Sequence, residues 1–223
     1  MSNSEQVKLL TGWSSPYALR AVWALKLKGV EYETIVEDPA KKSPLLLRHN
    51  PVHKKVPVLI HGDRAVAESL VILEYVDETW TGYAFLPDHP YQRAAARFLA
   101  KFGDDQVFPS VWNAFVKEGT EQEAALAQSR SHLKFLEEHL KGRRFFGGDK
   151  IGFTDLALGW MANIISIFEE ISQVEMLDPE TFPSLAAWIQ NFKEVPLIGE
   201  SWPPRDRMVA KFKALREQYI APK

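Results

Sequence analysis

The apolar residues of this 223-residue chain keep one rhythm up to about residue 82 and another beyond it. Before the change, short strand-like and helix-like pieces alternate. Val7-Lys8-Leu9-Leu10 reads as a strand, and Leu19, Val22, Trp23 and Leu27 then recur at the i, i+3, i+4 spacing of a helix with one buried side. Ser15 before Pro16 opens that helix: a side-chain acceptor suits the N-cap, and a residue without an N–H suits the first turn. Gly29 closes it. The alternating stretch Glu31–Val36 completes a right-handed β-α-β unit. Val56–Ile60, a turn at His61–Arg64, and Ala65–Ala67 predict a hairpin, with Pro57 at a strand's beginning because it cannot donate to a ladder. From Glu68-Ser69 a helix is expected to about Trp80, with Val71, Ile72, Tyr75 and Val76 as its apolar stripe. The order predicts a small α/β domain on a mixed sheet.

Gly82–Pro90 has no periodicity and holds two prolines, so it reads as a linker. Everything after it is helical in pattern. Tyr91 to about Val116 predicts one long helix bent at Pro109, and Thr120-Glu121-Gln122-Glu123 reads as a capping box opening a helix toward Leu140. Further helices are expected from Asp155 onward, over Leu185–Phe192 and over Arg205–Tyr219. The expectation is α/β plus all-α: a first domain over 1–82, a linker over 83–90 and an all-helical domain over 91–223.

Composition narrows the chemistry. Without a single cysteine, the chain has no disulfide, thiolate metal site, cysteine nucleophile or Cys-x-x-Cys redox pair. Twenty-seven basic against 29 acidic side chains give a net charge of −2, spread evenly over both parts, which argues against nucleic acid as a partner. The polar start Met1–Gln6 lacks a secretory pattern, the Ala-Pro-Lys end carries no lipidation signal, and no apolar run approaches the ~18 residues of a membrane span. These point to a cytoplasmic chain with no membrane partner. Dinucleotide, phosphate-loop, zinc-protease and serine-hydrolase motifs are missing, and the six histidines have no metal-ligand spacing.

Four pieces of the first domain carry chemistry when taken together. Ser15 sits where unpaired N–H groups and the helix dipole favour an anion, although alone it is only a cap. In Lys55-Val56-Pro57, a cis proline would turn out Val56 to pair with an extended peptide. Ser69 at a helix start suits a carboxylate and Glu68 an ammonium. Lys41-Lys42 and Lys54-Lys55 form a local positive cluster, though a lysine pair is most often a solvated turn. The conjunction describes a receptor for a small peptide with an amino-acid head, a carboxylate tail and an anionic centre near Ser15. That is the outline of glutathione.

Ser15-Pro16-Tyr17, the run Asn50-Pro51-Val52-His53-Lys54-Lys55-Val56-Pro57-Val58-Leu59, Ala67–Tyr75 and Phe145–Leu158 closely resemble the plant tau-class glutathione transferases, and the likeness spans nearly the whole chain. The resemblance implies a thioredoxin-like domain followed by an all-helical one, in a homodimer, with glutathione as co-substrate and no metal. Carried over by position, Ser15 is the catalytic serine that hydrogen-bonds the glutathione sulfur. Lys42 and Lys55 take the glycyl carboxylate, Val56 before Pro57 pairs with the peptide backbone, and Glu68 and Ser69 hold the γ-glutamyl end. Three positions depart from the family pattern: Gly12 and Ser14 stand where an aromatic and a proline are common, and Gly152 replaces the Ser/Thr of a cap that keeps its Asp155.

The resemblance also implies an apolar site between the domains for a small hydrophobic electrophile. Trp13 and Tyr17 flank Ser15, while Phe108, Trp112 and Phe115 share one helix face, the spacing of plain core as much as of a pocket. Ile164, Lys211 and Leu215 align with pocket positions of the family. The leading expectation is conjugation of the glutathione thiolate to electrophiles in detoxification, with hydroperoxide reduction beside it. The alternatives are a non-catalytic ligandin-type carrier of apolar metabolites and an interaction module.

Overall fold

Strand β1 (Val7–Thr11) is flanked on both edges in the computed structural model, which describes residues 6–221; Met1–Glu5 of the polar start and the final Pro222-Lys223 lie outside the described residues. It pairs in parallel with β2 (Glu33–Val36) and antiparallel with β3 (Val58–His61), which in turn pairs antiparallel with β4 (Arg64–Ala67). The sheet is mixed, in the order β2-β1-β3-β4. Successive residues of a strand face opposite sides, and a central strand covered on both sides is apolar on both, hence the fully buried neighbours Leu9 and Leu10. Leu10 packs with Val58, Ile60 and Leu46, the last from the short helix α2 (Pro44–His49).

Helix α1 (Pro16–Leu27) starts at Ser15 and stops at Gly29. Gly29 turns through φ +66°, donating to the Lys26 carbonyl while Val30 donates to that of Leu25. Helix α3 (Ser69–Thr79) packs beside it. Its buried face is Ser69, Ile72, Leu73 and Val76, whereas Val71 is 54% exposed, so the expected stripe is rotated. The true face keeps helical spacing, but its first member is a serine, which an apolar pattern passes over. Below, Lys28 Nζ and Asp77 Oδ1 form a buried ion pair at 2.9 Å, with Lys28 also donating to the Trp80 carbonyl at 2.7 Å.

The chain divides into two units, Met1–Phe85 and Leu86–Lys223. The second is helical. Its long expected helix is α4 (Pro90–Phe102), a π-helical turn at Gly103–Val107 and α5 (Phe108–Val116). The irregularity falls at 103–107 and not at Pro109, which sits in the first turn of α5 where no N–H is needed. Gly103 packs so tightly that a Cβ there would collide with Leu158. Helix α6 (Gly119–Leu140) begins through Gly119 at φ +57°, with Glu118 at its N-cap and no side-chain cap bond; Thr120 is already inside, so the expected capping box does not form.

Helices α7 (Phe153–Leu158), α8 (Met161–Ser172), α9 (Pro183–Glu194), α10 (Pro196–Gly199) and α11 (Arg205–Ile220) complete the unit. Its centre holds Phe115 stacked on Phe168 at 3.9 Å, with Phe212 edge-on to both. Asp155, wholly buried, accepts four N–H groups at 2.8 Å: Oδ1 takes Phe146 N and Trp188 Nε1, and Oδ2 takes Gly147 N and Gly152 N. Burial pushes its carboxyl pKa up, against the downward pull of those four donors. Among the described residues no helix is long and apolar enough to cross a membrane.

Candidate functional site

Ser15 occupies the N-cap of α1 with extended backbone, φ −82° and ψ 117°. Its Oγ accepts the Ala18 N–H at 3.2 Å, and its own N–H donates to the Gly12 carbonyl at 3.0 Å. A hydroxyl that accepts one bond still has its hydrogen to give. Ser15 is half-buried, within reach of a ligand, while its neighbour Ser14 is buried. Gly12 brings a second element close: a Cβ on it would lie 3.4 Å from Val56 Cγ2 and 3.5 Å from the Ser15 Cβ. Val56 therefore stands beside the start of α1.

The Val56–Pro57 bond is cis, and strand pairing on both sides of β3 begins only at Val58. Val56 thus lies beyond the end of the ladder, half-buried, with Pro57 buried behind it. The preceding loop carries Lys54 and Lys55, both exposed. Lys42 is exposed on the segment between β2 and α2, next to Ser43, which caps α2 through Leu46 N and donates to Glu37 Oε1 at 2.6 Å.

Glu68 is the N-cap of α3 at φ +72°, a left-handed conformation uncommon for a residue with a Cβ. Its exposed carboxylate stands 3.7 Å from His53 Nε2. Ser69, 7% exposed, accepts a hydrogen bond from Arg20 Nη1 at 3.0 Å. Arg20 is itself buried on α1, with its guanidinium 4.9 Å over the Tyr17 ring. Three residues absent from the sequence-derived set therefore tie it together: Gly12 joins Ser15 to Val56, Arg20 joins α1 to Ser69, and His53 joins the lysine loop to Glu68. Arg20 left one trace in the sequence, a charged residue next to Leu19 in an otherwise apolar stretch.

The aromatic and apolar candidates divide. In the first unit Trp13 is 38% exposed and Tyr17 half-buried, on either side of Ser15. In the helical unit Phe108 is half-buried and edge-on to Trp160 at 4.9 Å. Trp112, also half-buried, contacts Phe168 and Tyr219. Phe115 and Ile164 are buried, at 0% and 3% exposure, and Phe115 packs against Phe168 and Phe212, so its aromatic spacing reflects a face covered by protein side chains. Leu215 is half-buried on α11, which Arg216 ties to α5 by donating to the Phe115 carbonyl at 2.8 Å. Lys211 is exposed along its length, yet its ammonium sits 5.6 Å over the Phe212 ring in partly desolvated surroundings that lower its pKa.

Chemically, the first unit presents a hydroxyl donor at a positive helix end, an unpaired backbone edge, exposed ammonium groups and an exposed carboxylate. This set fits a small zwitterionic peptide with an anionic centre at Ser15. Residues 5–78 match the family model described as glutathione S-transferase, N-terminal domain, and residues 98–196 the one described as glutathione S-transferase, C-terminal domain. A soybean protein named probable glutathione S-transferase is 46% identical over 100% of this chain and 99% of its own. A maize glutathione transferase is 44% identical over 96% of this chain and 97% of its own. Among solved structures, a tau-class glutathione S-transferase from mango matches with TM-score 0.88 at 40% identity, covering 95% of this chain and 98% of that one. A rice glutathione S-transferase solved in complex with glutathione matches with TM-score 0.90 at 34% identity, covering 98% and 99%.

Proposed function

This chain belongs to the glutathione S-transferase family, in its plant tau class, and we propose that it is a serine-type enzyme in which Ser15 donates its hydroxyl hydrogen to the glutathione sulfur. The observation that carries the reading is the Ser15 cap: the hydroxyl accepts from Ala18 and keeps its hydrogen for a neighbour at the positive end of α1. An unperturbed thiol has a pKa near ~8.5, so little thiolate exists at neutral pH. Lowering it by two units needs ~2.7 kcal/mol of preference for the anion. One charge-assisted hydrogen bond, ~1.5–3 kcal/mol, is of that size, and the helix N-terminus adds to it. The thiol proton leaves to solvent, the sulfur lone pair forms the new bond to the electrophile, and the electrophile's leaving group departs with its electron pair. Ser15 stays uncharged and forms no covalent bond.

The rest of the peptide is held by groups whose charge does not change during reaction. Glu68 takes the γ-glutamyl ammonium. Ser69, held by Arg20, takes the γ-glutamyl carboxylate at the N-terminus of α3. Val56 pairs through its backbone N–H and C=O, and Lys55 with Lys42 receives the glycyl carboxylate. Trp13 and Tyr17 flank Ser15 in the chain and supply apolar surface for a hydrophobic electrophile. Reduction of organic hydroperoxides uses the same thiolate and belongs to the proposal, as do a cytosolic setting and a homodimer. The exposed Val71, Tyr91 and Phe98 support the dimer. Light scattering at micromolar concentration is expected to return twice the 25.4 kDa chain; a 25.4 kDa species alone would refute it.

The deciding experiment follows thiolate absorbance of enzyme-bound glutathione against pH, alongside turnover of aryl halides and hydroperoxides. Native enzyme should bind glutathione with a depressed thiol pKa, and Ser15→Ala should return it toward the free value. A native enzyme that binds glutathione with an unshifted thiol and turns over neither substrate class would instead be a carrier.

A further inference from the structure

Asn50 spends its carbonyl and both ends of its side-chain amide on the loop that leads to Val56. Its backbone N–H donates to the Leu46 carbonyl at 2.8 Å, closing α2, and its carbonyl accepts the Lys54 N–H at 2.9 Å. The residue is 4% exposed. Inside, Oδ1 accepts the His53 N–H at 3.1 Å while Nδ2 donates to the Lys55 carbonyl at 2.9 Å. Between those two points the chain passes through Lys54 at φ +54°, a left-handed conformation that a residue with a Cβ holds only where its surroundings fix it. The fixed loop presents Lys55, which is exposed and enters no ion pair among the described residues.

We propose that Asn50 is a positioning residue for glutathione, its amide clamping the Lys55 carbonyl so that the Lys55 ammonium is aimed at the glycyl carboxylate. The inference rests on the reading above that Lys55 receives that carboxylate. An exposed lysine gains little from a carboxylate in water because ordering a long side chain offsets the attraction. Holding its backbone in advance removes part of that cost before the ligand arrives. The clamp needs an amide: aspartate would still accept from His53 but would set a second oxygen against the Lys55 carbonyl, where no hydrogen bond can form.

The test compares glutathione with γ-glutamylcysteine, which lacks the glycine, in Asn50→Asp, Lys55→Ala and the double variant. Lys55→Ala should raise the KM for glutathione about five-fold and leave that for γ-glutamylcysteine within about two-fold, the signature of lost uniform binding. Asn50→Asp should do the same with kcat kept, and on top of Lys55→Ala it should add less than about two-fold, because both act through one contact. If Lys55→Ala discriminates between the thiols but Asn50→Asp penalises both equally, Asn50 serves only the fold and the inference is overturned while the lysine reading stands. If Lys55→Ala does not discriminate, both fall together. Should Asn50→Asp fail to fold, Asn50→Ser carries the same comparison, and each outcome keeps its meaning.

Discussion

At the start of α7 the Asp155 carboxylate takes four N–H groups at 2.8 Å, whereas at the start of α1 the Ser15 hydroxyl takes one, at 3.2 Å. Both residues stand at a helix start: Ser15 takes the Ala18 N–H inside α1, whereas Asp155 takes the N–H of Gly152, the N-cap residue of α7, with two loop N–H groups and an indole N–H. The difference lies in what remains. Each oxygen of Asp155 receives two donors in a fully buried place, and one donor, Trp188 Nε1, comes from 33 residues further along. Ser15 is half-buried and keeps its hydroxyl hydrogen. A side chain whose acceptors are all taken serves folding, and one with a hydrogen still to give is available to a ligand.

The sharpest way to break that contrast is at Asp155. Asn keeps one acceptor oxygen but presents an amide NH2 to N–H groups that already point inward, leaving buried donors unmatched. Each such group costs ~1–3 kcal/mol, so Asp155→Asn should lose at least about 3 kcal/mol of stability. That is roughly 6–12 °C in Tm for a chain of this length. Thermal unfolding followed by tryptophan fluorescence reads it; a native midpoint would show that the four bonds are not what holds this corner.

Ser15→Ala comes next and should separate activity from folding. The lost cap costs ~1 kcal/mol of stability. The lost donor should cost at least ~10-fold in kcat/KM, about 1.4 kcal/mol of transition-state stabilisation. Steady-state kinetics on protein shown to be folded decides it, and a variant within two-fold of native activity would remove Ser15 from the chemistry.

How much of this could be read beforehand depends on the distance over which each feature is determined. Ser15, Pro16 and Gly29 punctuate α1 through neighbours two to four residues away, so their residue types sufficed. The hairpin at Gly62-Asp63 was legible for the same reason. Ser69 was legible as a helix start, but its buried place on the face with Ile72, Leu73 and Val76 was not, since a hydroxyl does not register in an apolar pattern. Its bond to Arg20 spans 49 residues and leaves no local trace. The π-helical turn at Gly103–Val107 was likewise hidden: its first residue packs against Leu158 of another helix, a contact that no local pattern reports. Phe115 shows the limit from the other side: spacing says that a face is covered and is silent on whether protein or ligand covers it.

Ser69→Ala probes a helix start between the two extremes, where the hydroxyl already accepts from Arg20 yet lies within the binding set. Loss of a contact made equally in ground and transition states raises KM and spares kcat. A rise of about three- to five-fold in glutathione KM, with kcat within two-fold, is expected on that ground. Normal KM with collapsed kcat would move Ser69 into the chemical step.

The smallest effect should come from Ser14→Ala. Ser14 and Ser15 are adjacent, chemically identical and differ only in placement: Ser14 is 7% exposed, and Ser15 is half-buried at the N-cap. Ser14 lies within the turn that the Ser15 N–H closes on the Gly12 carbonyl and is buried there, whereas Ser15 stands half-buried at the helix start, so the two hydroxyls do not share one setting. Removing a buried hydroxyl from a hydrogen-bonded setting costs ~1 kcal/mol of stability, which unfolding will register. The kcat/KM should stay within about three-fold, because less than ~1 kcal/mol of transition-state binding is at stake. The bound thiol pKa should stay at its native value in Ser14→Ala and rise only in Ser15→Ala. Should the pKa instead rise in Ser14→Ala and hold in Ser15→Ala, the thiolate would belong to the buried serine, and the Ser15 hydroxyl would be as structural as the Asp155 carboxylate.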